Sequence, residues 1–263
     1  MKAAAVLLAI VVSVLLLAPA PAFADWASEI AASNPLNWWR FDEASGTTVA
    51  DSGSGGLAGT LVNGATLGHT GPLGGALHLD GATNAHVLLA GTALPAPWTL
   101  EAVFYQDDTT AGPSSALIGP ELFGSPNTAI KAEQWNETGQ LGYTAFGVVD
   151  ETFDDPAAAT PTSYAHVAFV GTAGGVSVYV NGALADTEDT PIDLHRGIVG
   201  LSGLSGEGAP IDALGGFIDE LVIYDRELSA AEIGAHAAVV PEPATIALLV
   251  VALLGVVVVR KPR

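Results

Sequence analysis

The sequence predicts an all-β protein built as a two-sheet antiparallel sandwich, and three observations carry that prediction. Thirty-one glycines and sixteen prolines in 263 residues, with only 14% charged residues, indicate many turns, and short apolar runs recur between them at strand spacing. From Gly216 to Tyr224 the pattern alternates, so that Phe217, Asp219, Leu221 and Ile223 fall on one face and Ile218, Glu220, Val222 and Tyr224 on the other. The roughly 210 residues between two apolar ends suit one sandwich domain.

Taken in order, residues 1 to 24 have a basic start at Lys2, an apolar middle and a small-x-small end at Ala22-Phe23-Ala24. That is the form of a secretory signal peptide, to be cut by signal peptidase before Asp25. Residues 25 to 238 form the expected domain. A short helix over Trp26 to Ser33 is punctuated by Asn34-Pro35, and Leu36 to Phe41 begins the first strand. The glycine-rich run from Asp51 supplies a tight loop. Strands follow at Thr60 to Val62, Ala76 to Leu79, Ala85 to Leu89 and Thr99 to Tyr105, then at Ala116 to Ile118, Ile130 to Trp135 and Gly139 to Val148.

Asp150 to Asp155 reads as an acidic loop. Beyond it, Tyr164 to Thr172 and Val176 to Val180 form a hairpin across Ala173-Gly174-Gly175, and Asn181-Gly182 turns the chain into Ala183 to Ala185. Ile198 to Leu201 and the alternating strand complete the sheets. Ser229, with Glu232 three residues on, is placed to cap a short helix through a capping box.

Residues 239 to 263 form a separate tail. Pro241-Glu242-Pro243 breaks secondary structure before an apolar segment, Ala244 to Val259, and a basic end. As a helix, about sixteen residues reach ~24 Å, short of the ~30 Å hydrocarbon core of a bilayer. The segment would cross only marginally, with its basic end on the cytoplasmic side.

The formal net charge is −20, and between the terminal segments the basic residues are Arg40, Lys131, Arg196 and Arg226. Phosphate would be repelled, so nucleic acid is excluded as a partner. There is no cysteine, and the six histidines show no metal-ligand spacing, so a zinc site is not expected. His86 and His166 read as ordinary sheet-surface residues.

Four stretches give a family resemblance. They are Trp39 to Glu43, Trp98 to Tyr105, His166 to Val170 running on to Val178 to Gly182, and Gly216 to Ile233. In this order they resemble the laminin-G-like, concanavalin A-like jelly-roll family, which implies a jelly roll with a short helix after the last strand. Pro241, Glu242 and Pro243, followed by an apolar segment and a basic terminus, resemble the sorting tail of PEP-CTERM proteins. That resemblance implies exosortase as a processing partner and a transient inner-membrane hold through a C-terminal helix.

Glycoside hydrolases with this sandwich need paired carboxylates on one strand. The related glucanases carry Glu-x-Asp-x-x-Glu, which does not occur here. Sialidases need several arginines, which the domain lacks. The reading that follows is an exported, non-catalytic binding or structural protein of the bacterial envelope or extracellular matrix, taking a glycan or a matrix protein. A polysaccharide-acting glycoside hydrolase of the same fold is the alternative.

Trp135, between polar Gln134 and Asn136, is the candidate for stacking on a sugar. Asp219, on an apolar face, needs a partner because an unpaired buried carboxylate is costly. Two are open: Arg40, or a structural calcium ion of the kind the family resemblance implies, with Asp42 and Asp51 as further oxygen ligands.

Overall fold

The computed structural model describes residues 25–110, 112–124 and 126–241. The signal segment with Ala22 and Ala24, the apolar segment 244–259, and Glu242 and Pro243 lie outside these residues. Two antiparallel sheets face each other. The first runs β14 (Ala183–Glu188), β13 (Gly175–Val180), β12 (Ala165–Thr172), β7 (Trp98–Gln106), β18 (Gly216–Tyr224), β5 (Gly75–Leu79) and β4 (Thr66–Thr70), with β1 (Asn37–Trp39) also paired to β18. The second runs β11 (Val149–Thr152), β10 (Gly142–Ala145), β9 (Thr128–Glu133), β8 (Ser115–Gly119), β15 (Ile198–Val199), β6 (His86–Leu88), β3 (Gly59–Val62) and β2 (Thr48–Val49). A small ribbon, β16 (Gly203–Leu204) with β17 (Pro210–Ile211), lies beside the second sheet.

The core forms where the alternating apolar positions of both sheets meet. Leu100, Ala102 and Phe104 of β7, and Val167 and Phe169 of β12, pack against Ile130 and Ala132 of β9 and Tyr143 of β10. The outer face of the first sheet is also covered. Helix α1 (Trp26–Ala32) and helix α2 (Ala230–Ala238) lie on Val103, Ala168, Val170, Val222 and Tyr224, burying Trp26, Ile30 and Ile233. The expected capping box of α2 is present, with Ser229 and Glu232 satisfying each other's backbone N–H groups.

Two expectations are corrected. The alternation through β18 does not hold its phase, because a β-bulge at Asp219 separates Ile218 from Glu220 in the pairing with β7. Ile218, Leu221 and Ile223 enter the core together, while Phe217 lies outside it beside His78 and Tyr105. An extra residue on one strand shifts everything beyond it to the other face. The acidic loop is also partly a strand: Val149–Thr152 pairs with β10, because Asp150 turns its carboxylate outward opposite Thr144.

Candidate functional site

The outer face of the second sheet carries a cleft of about 450 Å³ between β9 to β11 and the β16–β17 ribbon. Strand alternation builds its floor. With Ile130, Ala132 and Tyr143 pointing into the core, Lys131 and Thr144 point out. Lys131 is nevertheless 2% exposed, because the ribbon covers it. Its ammonium donates to Ser114 Oγ at 2.9 Å, to Ser202 Oγ at 2.8 Å and to Asp212 Oδ2, which uses all three of its protons. Burial pulls the Lys131 pKa down, and the Asp212 carboxylate beside it works against that.

The wall of the cleft is aromatic. Trp135 is 55% exposed, and Phe123, 41% exposed, packs on Phe146 with ring centroids 4.3 Å apart. Trp135 follows β9 at a turn where Asn136 and Glu137 take positive φ values of 80° and 56°. Buried Gln134 fixes the base of that turn: its amide donates to Tyr143 O and Glu151 O, each at 2.7 Å, and its carbonyl accepts from the Trp135 N–H at 2.7 Å. The backbone of Trp135 is therefore held while its indole stays exposed. Opposite it, Asp150 accepts from the Thr144 hydroxyl at 2.7 Å. An open ring beside hydroxyl and carboxylate groups is the surface that a sugar's apolar face and its hydroxyls require.

The candidate metal residues divide. Asp219 Oδ2 accepts from Leu73 N at 2.6 Å, and Asp42 Oδ1 accepts from Gly75 N at 2.7 Å, so both grip the turn between β4 and β5. Asp219 Oδ1 is buried without a partner. Burial pushes the Asp219 carboxyl up to about 7; the Leu73 N–H works against the shift and the Asp42 charge adds to it. Asp51 stands apart from this pair. Its two oxygens accept from Asn37 Nδ2, Trp38 N, Gly53 N and Leu57 N at 2.7 to 2.8 Å, which fills them and makes it a clamp between β1 and the loop from β2 to β3.

Arg40 does not pair with Asp219. It holds Asp42 at 2.8 Å and approaches Glu220 at 3.8 Å. The register explains this, since Trp39 lies opposite Leu221, and one further step places Arg40 opposite Glu220. Burial pushes the Glu220 carboxyl up to about 8, although the Trp38 indole N–H donates to it at 2.5 Å.

A third polar cluster was not foreseen. Glu101 of β7 is fully buried and accepts from His166 Nε2 at 3.1 Å and from His236 Nδ1 of α2 at 2.9 Å. His236 Nε2 reaches Ser33 Oγ at 2.9 Å, and Trp26 sets its ring edge-on to both imidazoles. Both histidines read as surface residues are buried: His166 because the helices cover it, and His86 in β6, where its Nδ1 meets Asn84 O at 2.9 Å. The available signal was Val103 on the same face as Glu101, an apolar residue pointing away from the core.

Comparison with known proteins agrees with this architecture. Residues 80–234 match the family model described as the concanavalin A-like lectin/glucanases superfamily, and residues 239–261 match the PEP-CTERM protein-sorting motif. No curated protein matches the sequence. Among solved structures, domain 4 of AbnA, a GH43 extracellular arabinanase from Geobacillus stearothermophilus in complex with arabinotriose, is 19% identical, with a TM-score of 0.58 over 78% of this chain and 98% of that one.

The binding domain of Paraclostridial Mosquitocidal Protein 1 is 13% identical, with a TM-score of 0.57 over 78% of this chain and 52% of that one. Trypanosoma rangeli sialidase in complex with sialic acid is 16% identical, with a TM-score of 0.53; the match covers 78% of this chain and 33% of the sialidase. At these identities the likeness is one of fold. With its family model spanning more than half its length, the chain belongs to the concanavalin A-like lectin/glucanases superfamily.

Proposed function

We propose that this is an exported carbohydrate-binding protein that acts without catalysis, using the cleft on the outer face of the second sheet. The observation that carries the reading is Trp135, open to solvent on a backbone held by Gln134, beside a floor of Lys131, Thr144 and Asp150. The sorting motif supports export to the envelope and processing by exosortase. That the similar arabinanase domain was solved with arabinotriose supports the ligand class. A hydrolytic site needs a carboxyl that keeps its proton near neutrality. The carboxyls raised furthest, Asp219 and Glu220, are buried in the first sheet, away from the cleft.

The test is a glycan array probed with the full chain and with Trp135→Ala. The full chain should retain glycans, and the variant should lose at least about tenfold in affinity with an unchanged melting temperature. Equal binding by the two, or no retained glycan, overturns the reading. Release of reducing sugar moves the protein to the hydrolase alternative.

A structural calcium ion belongs to the same proposal. Asp219 fits it through its partnerless buried oxygen, and Asp42 lies beside the same turn. Asp51 does not fit, since donors fill its oxygens. Among the described residues no group of three or more acidic or histidine side chains is arranged to hold a metal ion, so backbone carbonyls and water would complete a shell of about six to eight oxygens. Calcium should raise the melting temperature in step with its concentration. An identical melt in calcium and in chelator removes the ion.

A further inference from the structure

The charges around the cleft are unequal in a way that bears on the kind of sugar it takes. Lys131 is the one basic side chain among the residues lining it. All three of its protons are committed to Ser114, Ser202 and Asp212, so no cation is presented to a ligand carboxylate. The acidic groups are not used up in the same way. Asp150 is exposed, and its one side-chain bond within the protein, from Thr144, goes to Oδ1. Asp212 takes Lys131 and Ser202 on Oδ2 alone. One carboxylate oxygen on β11 and one beyond the ribbon are left for ligand donors, in a protein of net charge −20.

We propose that the cleft takes a glycan bearing protonated amino groups, in preference to its N-acetylated or uronic acid counterparts. The inference rests on the carbohydrate reading of the cleft. An ammonium substituent brings three N–H donors and the opposite charge to Asp150, whereas acetylation leaves one neutral donor and a uronate brings repulsion. Trp135 would stack on the ring and fix its position, while the carboxylates would select the substituent. A single charge-assisted hydrogen bond accounts for roughly a tenfold to hundredfold preference.

Titration calorimetry of the full chain tests this at mildly acidic pH in about 0.15 M salt, where long-range attraction to the acidic surface is screened. The probes are chitosan tetramer, chitin tetramer and galacturonan tetramer. Chitosan should bind at least about tenfold more tightly than chitin, galacturonan should not bind, and Asp150→Asn should bring the chitosan and chitin affinities together. A preference that survives Asp150→Asn, equal affinities in the wild type, or binding of galacturonan overturns the proposal while leaving carbohydrate binding in place. Binding of no glycan at all, on this titration and on the array, overturns both.

Discussion

Glu101→Gln is the sharpest probe of how the two helices are held to the first sheet. The substitution preserves volume and removes the charge that His166 of β12 and His236 of α2 share. Burial by itself raises the carboxyl, but the hydrogen bonds and charges of the two histidines outweigh it and bring Glu101 from 4.5 down to about 2. A depression of that size corresponds to roughly 3 kcal/mol at neutral pH. For a domain of this length, ~1 kcal/mol moves the melting temperature by about 2–4 °C, so the variant should melt roughly 6–12 °C lower at pH 7.

The acid limb supplies an independent check. Because the folded carboxyl titrates below the unfolded one, its contribution is complete above pH 4.5 and lost as pH falls toward 2. Wild type should lose stability through that window, and the variant should lose less. Hydrogen exchange should quicken in α1 and α2, with the sheets little affected. A variant that melts within about 2 °C of wild type at pH 7 and keeps the same acid slope would show that the helices owe their place to apolar packing alone.

Glu220→Gln should act in the opposite sense. The Glu220 carboxyl is raised from 4.5 to about 8, so its favourable contribution is present at low pH and lost as pH rises through 8. Melts from acid to alkali should show the variant gaining on wild type, and a wild type that is the more stable at alkaline pH would refute the assignment. Gly171→Ala should cost about 1–3 kcal/mol or more by denaturant unfolding, since its Cβ would lie 2.1 Å from Trp98 Cε2. Mass spectrometry of protein recovered from cells should find a chain that begins at Asp25 and lacks Arg263, and an intact C-terminus would remove cleavage at the sorting motif.

The strands were legible because most alternate cleanly, and α2 because Ser229 and Glu232 spell its start. The bulge at Asp219 was not. Residues 217 to 224 run as two apolar, two acidic and four apolar or aromatic residues, which marks a strand without fixing its phase, and only the pairing of β18 with β7 reveals the extra residue. The Arg40 pairing failed because the register of β1 on β18 sets Arg40 opposite Glu220, one residue on from Asp219. Trp135 stood out by its polar neighbours, but the rest of the cleft did not. Lys131 is a lone basic residue between Ile130 and Ala132, and what buries it comes from Ser202 and Asp212, some 70 to 80 residues further along in a glycine-rich stretch with no strand pattern. Long-range contacts between polar residues leave no local period to read.

The placement of α1 and α2 also sets a direction. Residue 25 opens α1 and residue 241 closes the stretch after α2, and the two helices lie on one outer face, joined by Ser33 and His236. The cleft lies on the outer face of the other sheet. A tether beyond residue 241 would hold the sandwich by its helix-covered face, with the thickness of two sheets between the point of attachment and the cleft beside Trp135.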